Sequence, residues 1–209
     1  MPKLLFIRRT LDKLYPNPPI PLNHTDAFSF LVAVVLSAQC KDSVVNMVTP
    51  KLMEAASTPE VMAKLPENKI YSLIKLCGLA NNKSRFLKGL SKIIVEKHGG
   101  KVPNSFEELE ALPGVGHKTA SVVMSHVFKI PAFPVDTHIH RLAYRWGLSD
   151  GSSVLQTEKD LKAAFPKKEW ERRHLQLIYY GREFCPARGH NLKKCIICAK
   201  IGNFSTLSP

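Results

Sequence analysis

Apolar residues in this chain recur three and four positions apart almost from one end to the other, without the alternation that a half-buried strand requires. The spacing predicts an all-α fold, with no internal repeat and no low-complexity tract. A first helix over residues 4–14 runs into a Pro-rich connector at 15–22, and Asp26 is placed to cap the next helix. That helix, residues 27–38, is broken in its apolar run only by Ser29 and Ser37. It is shorter than the roughly 18 residues a membrane span needs, so it reads as a buried core helix. Further helices are expected near residues 43–48, 50–56, 59–63, 67–76, 83–97, 105–112 and 117–128. Beyond Pro134, Asp136 is placed to cap a helix that Gly147 ends, Thr157 with Asp160 opens another, and a last one spans about 170–180.

The sharpest local signal is Leu112-Pro113-Gly114-Val115-Gly116-His117-Lys118-Thr119-Ala120. Ser105 with Glu108 reads as a capping box ahead of it, and Ala120, Val123, Met124 and Val127 keep a helical rhythm behind it. The pattern is a helix, a glycine hairpin and a helix over residues 105–128. Such a turn points backbone N–H groups at the start of the second helix toward an anion, and a DNA phosphate suits it. Glycines of this kind also serve ordinary helical hairpins. What sets this one apart is Lys118, followed eighteen residues later by Asp136 in Val135-Asp136-Thr137-His138.

Charge agrees with a polyanionic partner. Thirty Lys and Arg against seventeen Asp and Glu leave +13 over 209 residues, which nucleic acid or an anionic membrane surface would satisfy. Hydrophobic content of 44% excludes a disordered chain. The opening residues lack the apolar core and cleavage site of a secretory signal, which places the protein in the cytoplasm. Of five cysteines, Cys40 and Cys77 lie in apolar helical surroundings and read as core thiols. Cys185, Cys195 and Cys198 cluster near the end, where a metal site is the better reading than disulfides.

These residues resemble the helix-hairpin-helix DNA glycosylase and AP lyase family, in its bacterial endonuclease III branch. The hairpin with its downstream Val-Asp-Thr-His carries the resemblance. Leu36-Ser37-Ala38-Gln39 with Asp42 and Asn46, Gly78-Leu79 with Lys83, and Gly181-Arg182 ahead of Cys185 extend it over nearly the whole chain. It implies two helical lobes, residues 20–130 and residues 1–19 with 131–209, and a DNA cleft between them. It implies that Lys118 is the nucleophile and Asp136 its carboxylate partner. Gln39 and Leu79 would fill the space left by an extruded nucleotide, and Gly114, Gly116, His117 and His138 would contact DNA. Each has a plainer reading: Asp136 as an N-cap, Lys118 as a phosphate contact, Gln39 as a helix-end residue, Leu79 as a C-cap contact, His138 as a first-turn residue.

A lysine amine attacking a sugar C1′ displaces the base and forms a Schiff base, which permits strand cleavage. An ordinary lysine, with a pKa of about 10.4, must first lose a proton. Burial and a charged His117 nearby would favour that loss. The reading is therefore a base excision repair enzyme that releases damaged bases, oxidised pyrimidines foremost, and cuts the abasic site by β-elimination. A monofunctional glycosylase and a non-catalytic DNA-binding protein are the alternatives. The partner is double-stranded DNA with damaged bases or abasic sites, and the chain is expected to be a monomer with no membrane association.

The family's cysteine loop holds a 4Fe-4S cluster through four cysteines. Here the gap between Cys185 and Cys195 is nine residues, longer than the family's, and Phe204 stands where the fourth cysteine is expected. His190 lies midway in that gap and completes a set of three cysteines and one histidine. An iron–sulfur cluster, a zinc ion and a metal-free loop all remain open at this point.

Overall fold

The computed structural model describes residues 2–201, and among them there are twelve α-helices, one 3-10 turn at Lys167–Glu169 and no strand. The helices are α1 Pro2–Leu14, α2 Ala27–Ser37, α3 Asp42–Ala55, α4 Pro59–Lys64, α5 Glu67–Ile74 and α6 Ala80–His98. They continue with α7 Phe106–Glu110, α8 His117–His126, α9 Thr137–Arg145, α10 Val154–Ala164, α11 Trp170–Glu183 and α12 Ile196–Ile201. Phe204 lies outside the described residues. The chain divides into two compact units, one of Ile20–Ile130 and one of the residues up to Pro19 with those from Pro131 onward.

The contiguous unit is built around α2. Nine successive residues from Phe28 to Leu36 are buried, because a helix apolar on every side has no face to give to water. Asp26 Oδ1 accepts from the Ser29 N–H at 2.8 Å and Ser29 Oγ from the Asp26 N–H at 3.0 Å, a reciprocal cap that fixes where the helix starts. Helices α3, α6 and α8 pack on α2, while α4 and α5 lie along α6 and α7 lies on α8.

The discontinuous unit joins α1 to the last third of the chain. Ile7 and Leu11 of α1 enter one core with Phe133, Ile139, Leu142, Trp146, Phe165 and Tyr180. Arg173 of α11 is fully buried among them. Its guanidinium donates to Asp12 Oδ1 at 2.7 Å, Glu169 Oε2 at 2.7 Å and Gln176 Oε1 at 2.7 Å. Every acceptor is thereby matched to a fixed donor fork, which is how a buried charge is tolerated.

Three local expectations are corrected. The segments expected at 43–48 and 50–56 are one helix, α3 at Asp42–Ala55, which runs through Pro50. Pro50 is exposed, and the helix runs through it without the hydrogen bond that an N–H there would have made to the Asn46 carbonyl. Helix α10 begins at Val154, where Ser153 Oγ accepts from the Gln156 N–H at 3.0 Å. Thr157 lies inside that helix, buried, with its hydroxyl on the Ser153 carbonyl. Finally, α12 at Ile196–Ile201 has no counterpart in the periodicity, being a single short turn and a half whose buried residues are Ile197 and Cys198.

Candidate active site and metal centre

The hairpin follows α7, whose N-terminus is capped by Ser105: its hydroxyl accepts from the Glu108 N–H at 3.2 Å and donates to Glu108 Oε2 at 2.7 Å. Leu112 and Val115 are buried and anchor the turn. Gly114 sits at φ +78, and a Cβ there would lie 2.7 to 2.9 Å from the Phe86 ring of α6. Only glycine fits. Gly116 differs: its φ is −96, it N-caps α8 without a side chain, and a Cβ on it would meet nothing within 4 Å. Nothing in the described chain demands a glycine at that position.

His117 and Lys118 are the first two residues of α8, and both are exposed. Their N–H groups belong to the helical turn that has no partners within the helix. His117 Nδ1 pairs with Glu110 Oε1 at 2.7 Å, and its ring stacks on Phe106 at 5.7 Å between centroids. The burial of Lys118 expected from its chemistry is therefore absent from the free chain, because a side chain at the outer start of a helix points to solvent. His117 faces a carboxylate.

Gln39 and Leu79 share an unusual backbone state. Both are left-handed, at φ 51 and φ 60, although neither is glycine. Gln39 is exposed and Leu79 is 54% exposed, so neither conformation is repaid by burying its own side chain. Their loops are pressed together: a Cβ on Gly78 would stand 3.0 Å from the Gln39 carbonyl oxygen. The buried Lys83 ammonium locks the first loop by donating to the Leu36 carbonyl at 2.8 Å and the Ala38 carbonyl at 2.7 Å. Desolvation lowers the Lys83 pKa from the usual lysine value. The side chains of Cys40 and Cys77 lie beside each other and near Lys83. Apart from its place in the family resemblance, Lys83 reads in the sequence like any solvated lysine.

In the other unit, Asp136 is half-buried and N-caps α9, its Oδ1 accepting from the Ile139 N–H at 2.8 Å. Two residues on, His138 Nδ1 accepts from Arg141 at 3.1 Å. Burial holds the imidazole below its ordinary pKa, with Arg141 and Arg182 adding to the effect and Asp136 opposing it. Arg141 also donates to the Gly181 carbonyl at 3.0 Å and the Cys185 carbonyl at 2.9 Å. It ties α9 to the end of α11.

Cys185, His190, Cys195 and Cys198 come together, with one ligand atom from each and all four within 4.8 Å of one another. The three sulfurs are buried, and each has a neighbour able to donate. Arg145 Nη1 lies 3.2 Å from Cys185 Sγ, Trp146 Nε1 3.3 Å from Cys198 Sγ, and the Tyr180 hydroxyl 3.5 Å from Cys195 Sγ. Arginine and tryptophan donate only, so Cys185 and Cys198 are accepting sulfurs, the character a metal thiolate has. His190 Nε2 is buried with no hydrogen-bond partner. This group can hold a metal. Nothing in the sequence singled out the supporting Arg145, Trp146 and Tyr180, since the first two come from the end of α9, far from the cysteines along the chain, and Tyr180 reads as an ordinary core aromatic of α11.

Residues 32–167 match the model of the HhH-GPD superfamily base excision DNA repair proteins. Endonuclease III of Bacillus subtilis is 42% identical over 189 residues, which is 88% of this chain and 86% of the relative. Endonuclease III of Escherichia coli K12 is 40% identical over 195 residues, 93% of this chain and 92% of the relative. A solved trapped endonuclease III–DNA covalent intermediate, an estranged-adenine complex, matches with a TM-score of 0.90 at 38% identity, over 96% of this chain and 95% of that one. A thermostable thymine-DNA glycosylase shares the fold, with a TM-score of 0.83 at 24% identity over 97% of this chain and 96% of that one. With a family model matched over most of its length and relatives near 40% identity end to end, the chain belongs to the endonuclease III family of the HhH-GPD base excision DNA repair superfamily.

Proposed function

We propose that this chain is a DNA glycosylase with associated AP lyase activity, acting in base excision repair on duplex DNA that carries oxidised pyrimidines or abasic sites. A DNA substrate places it with the chromosome, in the bacterial cytoplasm. The observation that carries the reading is the position of Lys118, an exposed amine in the first turn of α8, next to a hairpin whose Gly116 faces open space. A covalent intermediate with DNA has been trapped for an endonuclease III, and Lys118 is the amine that would form one here.

In this reading a DNA phosphate lies against the start of α8, where the helix dipole favours an anion. The damaged nucleotide leaves the stack, and Gln39 and Leu79 enter the gap. Their left-handed backbones hold two side chains outward that a relaxed loop would fold against the surface. The Lys118 nitrogen attacks C1′, the bond from C1′ to the base breaks, and the base departs with a proton. Asp136 stabilises the positive charge that develops on the sugar; its cap on α9 uses one oxygen and holds the carboxylate still. The C1′ adduct opens to a Schiff base, a C2′ proton is removed, and the 3′ phosphate leaves. Water then releases Lys118. His138 has Nδ1 committed to Arg141, so it contacts DNA through Nε2.

Cys185, His190, Cys195 and Cys198 form a metal centre in this reading. It takes no part in the steps above and secures the segment after α11.

Borohydride trapping tests the proposal, using duplexes with one oxidised pyrimidine or one abasic site. A covalent adduct on both, absent in Lys118→Ala while duplex binding persists, is the expected result. An adduct on the abasic duplex alone removes oxidised pyrimidines from the proposal. No adduct on either overturns the lysine mechanism.

A further inference from the structure

The family resemblance implies an iron–sulfur cluster, and the donor spacing in this chain bears on that directly. In a four-iron cube each protein ligand caps a different iron, so the body of the cube holds the ligand atoms apart. Here the Cys185 and Cys198 sulfurs are 3.6 Å apart, and no two of the four donor atoms are separated by more than 4.8 Å. A single tetrahedral zinc ion, with Zn–S of about 2.3 Å and Zn–N of about 2.0 Å, sets its donors roughly 3.5 to 3.8 Å apart. The Cys185–Cys198 distance is that of two ligands on one ion, and the 4.8 Å that bounds the other pairs is about 1 Å wider than a closed site would draw them.

The chemistry of the donors agrees. His190 Nε2 is buried and lacks a hydrogen-bond partner, an arrangement that is costly unless the lone pair is used, and a neutral imidazole nitrogen is an ordinary zinc ligand. Three thiolates and one Zn²⁺ carry a net charge of −1, and the Arg145 guanidinium lies 3.2 Å from Cys185 Sγ to balance it. Four protein donors leave no open position, which marks a structural site rather than a catalytic one.

We propose that Cys185, His190, Cys195 and Cys198 bind a single zinc ion in closed tetrahedral coordination, in place of the iron–sulfur cluster that the family resemblance implies. The proposal rests on the four-ligand metal centre described under the proposed function. Binding forms three Zn–S bonds and one Zn–N bond and releases three thiol protons to solvent, with no change of oxidation state. The ion fastens the end of α11 to α12 through the loop that carries His190.

The full-length chain, purified without oxygen from cells supplied with both iron and zinc, is assayed for zinc, iron and acid-labile sulfide. Equimolar zinc, no iron, no sulfide and a colourless solution are expected. Replacing the zinc with cobalt should give the intense visible absorption of tetrahedral thiolate-bound cobalt. His190→Ala should weaken zinc affinity by at least about tenfold, and His190→Cys should restore it. Iron with sulfide, in a brown protein, overturns zinc while leaving the four-ligand centre standing. A chain that holds no metal, and whose melting temperature ignores both chelator and added zinc, overturns both. Zinc retained unchanged in His190→Ala removes the histidine from the set. Trapping on abasic DNA with the same preparations reports the lysine chemistry separately.

Discussion

Leu79 is held in a left-handed conformation with its side chain mostly in water, an arrangement that costs a non-glycine residue roughly 1–2 kcal/mol. A glycine would relax that backbone while losing little packing, and the larger freedom of glycine when unfolded offsets part of the gain. Leu79→Gly is therefore expected to raise stability by about 0.5 kcal/mol, and to lower turnover on duplex substrate severalfold more than on the same lesion in single-stranded DNA. Thermal melting and a paired activity assay read the two effects, and unchanged duplex turnover would remove Leu79 from the site. At this scale the sequence was legible in kind but not in conformation. Lys118 and Asp136 stood out because of their place after a glycine hairpin and before a helix. The left-handed state of Gln39 and Leu79 left no mark, because it is imposed by the neighbouring loop at Gly78 and by the buried Lys83. His190 could be seen only as a possible fourth donor, since a nine-residue gap does not say which way a ring turns.

The two hairpin glycines separate folding from binding at the scale of an element. Gly114→Ala places a methyl group within 2.9 Å of the Phe86 ring at a positive φ, so a loss of about 2 kcal/mol or more is expected, read by denaturant melting. Gly116→Ala meets nothing in the described chain. It should cost roughly 0.5 kcal/mol as a poorer N-cap, yet weaken duplex binding in a fluorescence titration, because the new methyl stands where the proposed phosphate approaches. Equal binding by Gly116→Ala and the parent chain would remove the hairpin amides from the interface. The helices themselves were readable wherever an apolar stripe met a cap, as at Asp26 and Ser105. They were misread where a rule met its exception. Pro50 lies inside α3 at an exposed position, and Thr157 reads as a cap because Ser153, one turn earlier, offers the same chemistry.

Across the whole molecule, the +13 charge predicts duplex affinity that falls by on the order of a hundredfold or more between 50 and 200 mM salt, checked by titration at several salt concentrations. The buried Arg173 network predicts a dependence on acid. Burial alone would raise the carboxyl pKa values of Asp12 and Glu169, but hydrogen bonds and charge from Arg173 outweigh it and hold both below their ordinary 3.8 and 4.5. Depressed acids stabilise the fold above their unfolded values and lose that contribution as pH falls through the folded ones. Melting temperature should therefore drop below about pH 4.5, less steeply in Asp12→Asn. Arg173→Ala, which removes the donor shared by Asp12, Gln176 and Glu169 and leaves the buried Glu169 with Arg8 alone, should cost about 3 kcal/mol at neutral pH.

Asp12 and Arg173 also set a schedule for a newly made chain. Residues 20–130 form a contiguous unit, able to close as soon as its last helix leaves the ribosome. Helix α1 is made before all of it, but its neighbours α11 and α12 are made after all of it. At roughly 5 to 20 residues per second, Ile7 and Leu11 wait on the order of ten to thirty seconds without their native partners. The earliest made of these twelve helices is thus the last of them to be housed, and in that interval it is open to a chaperone.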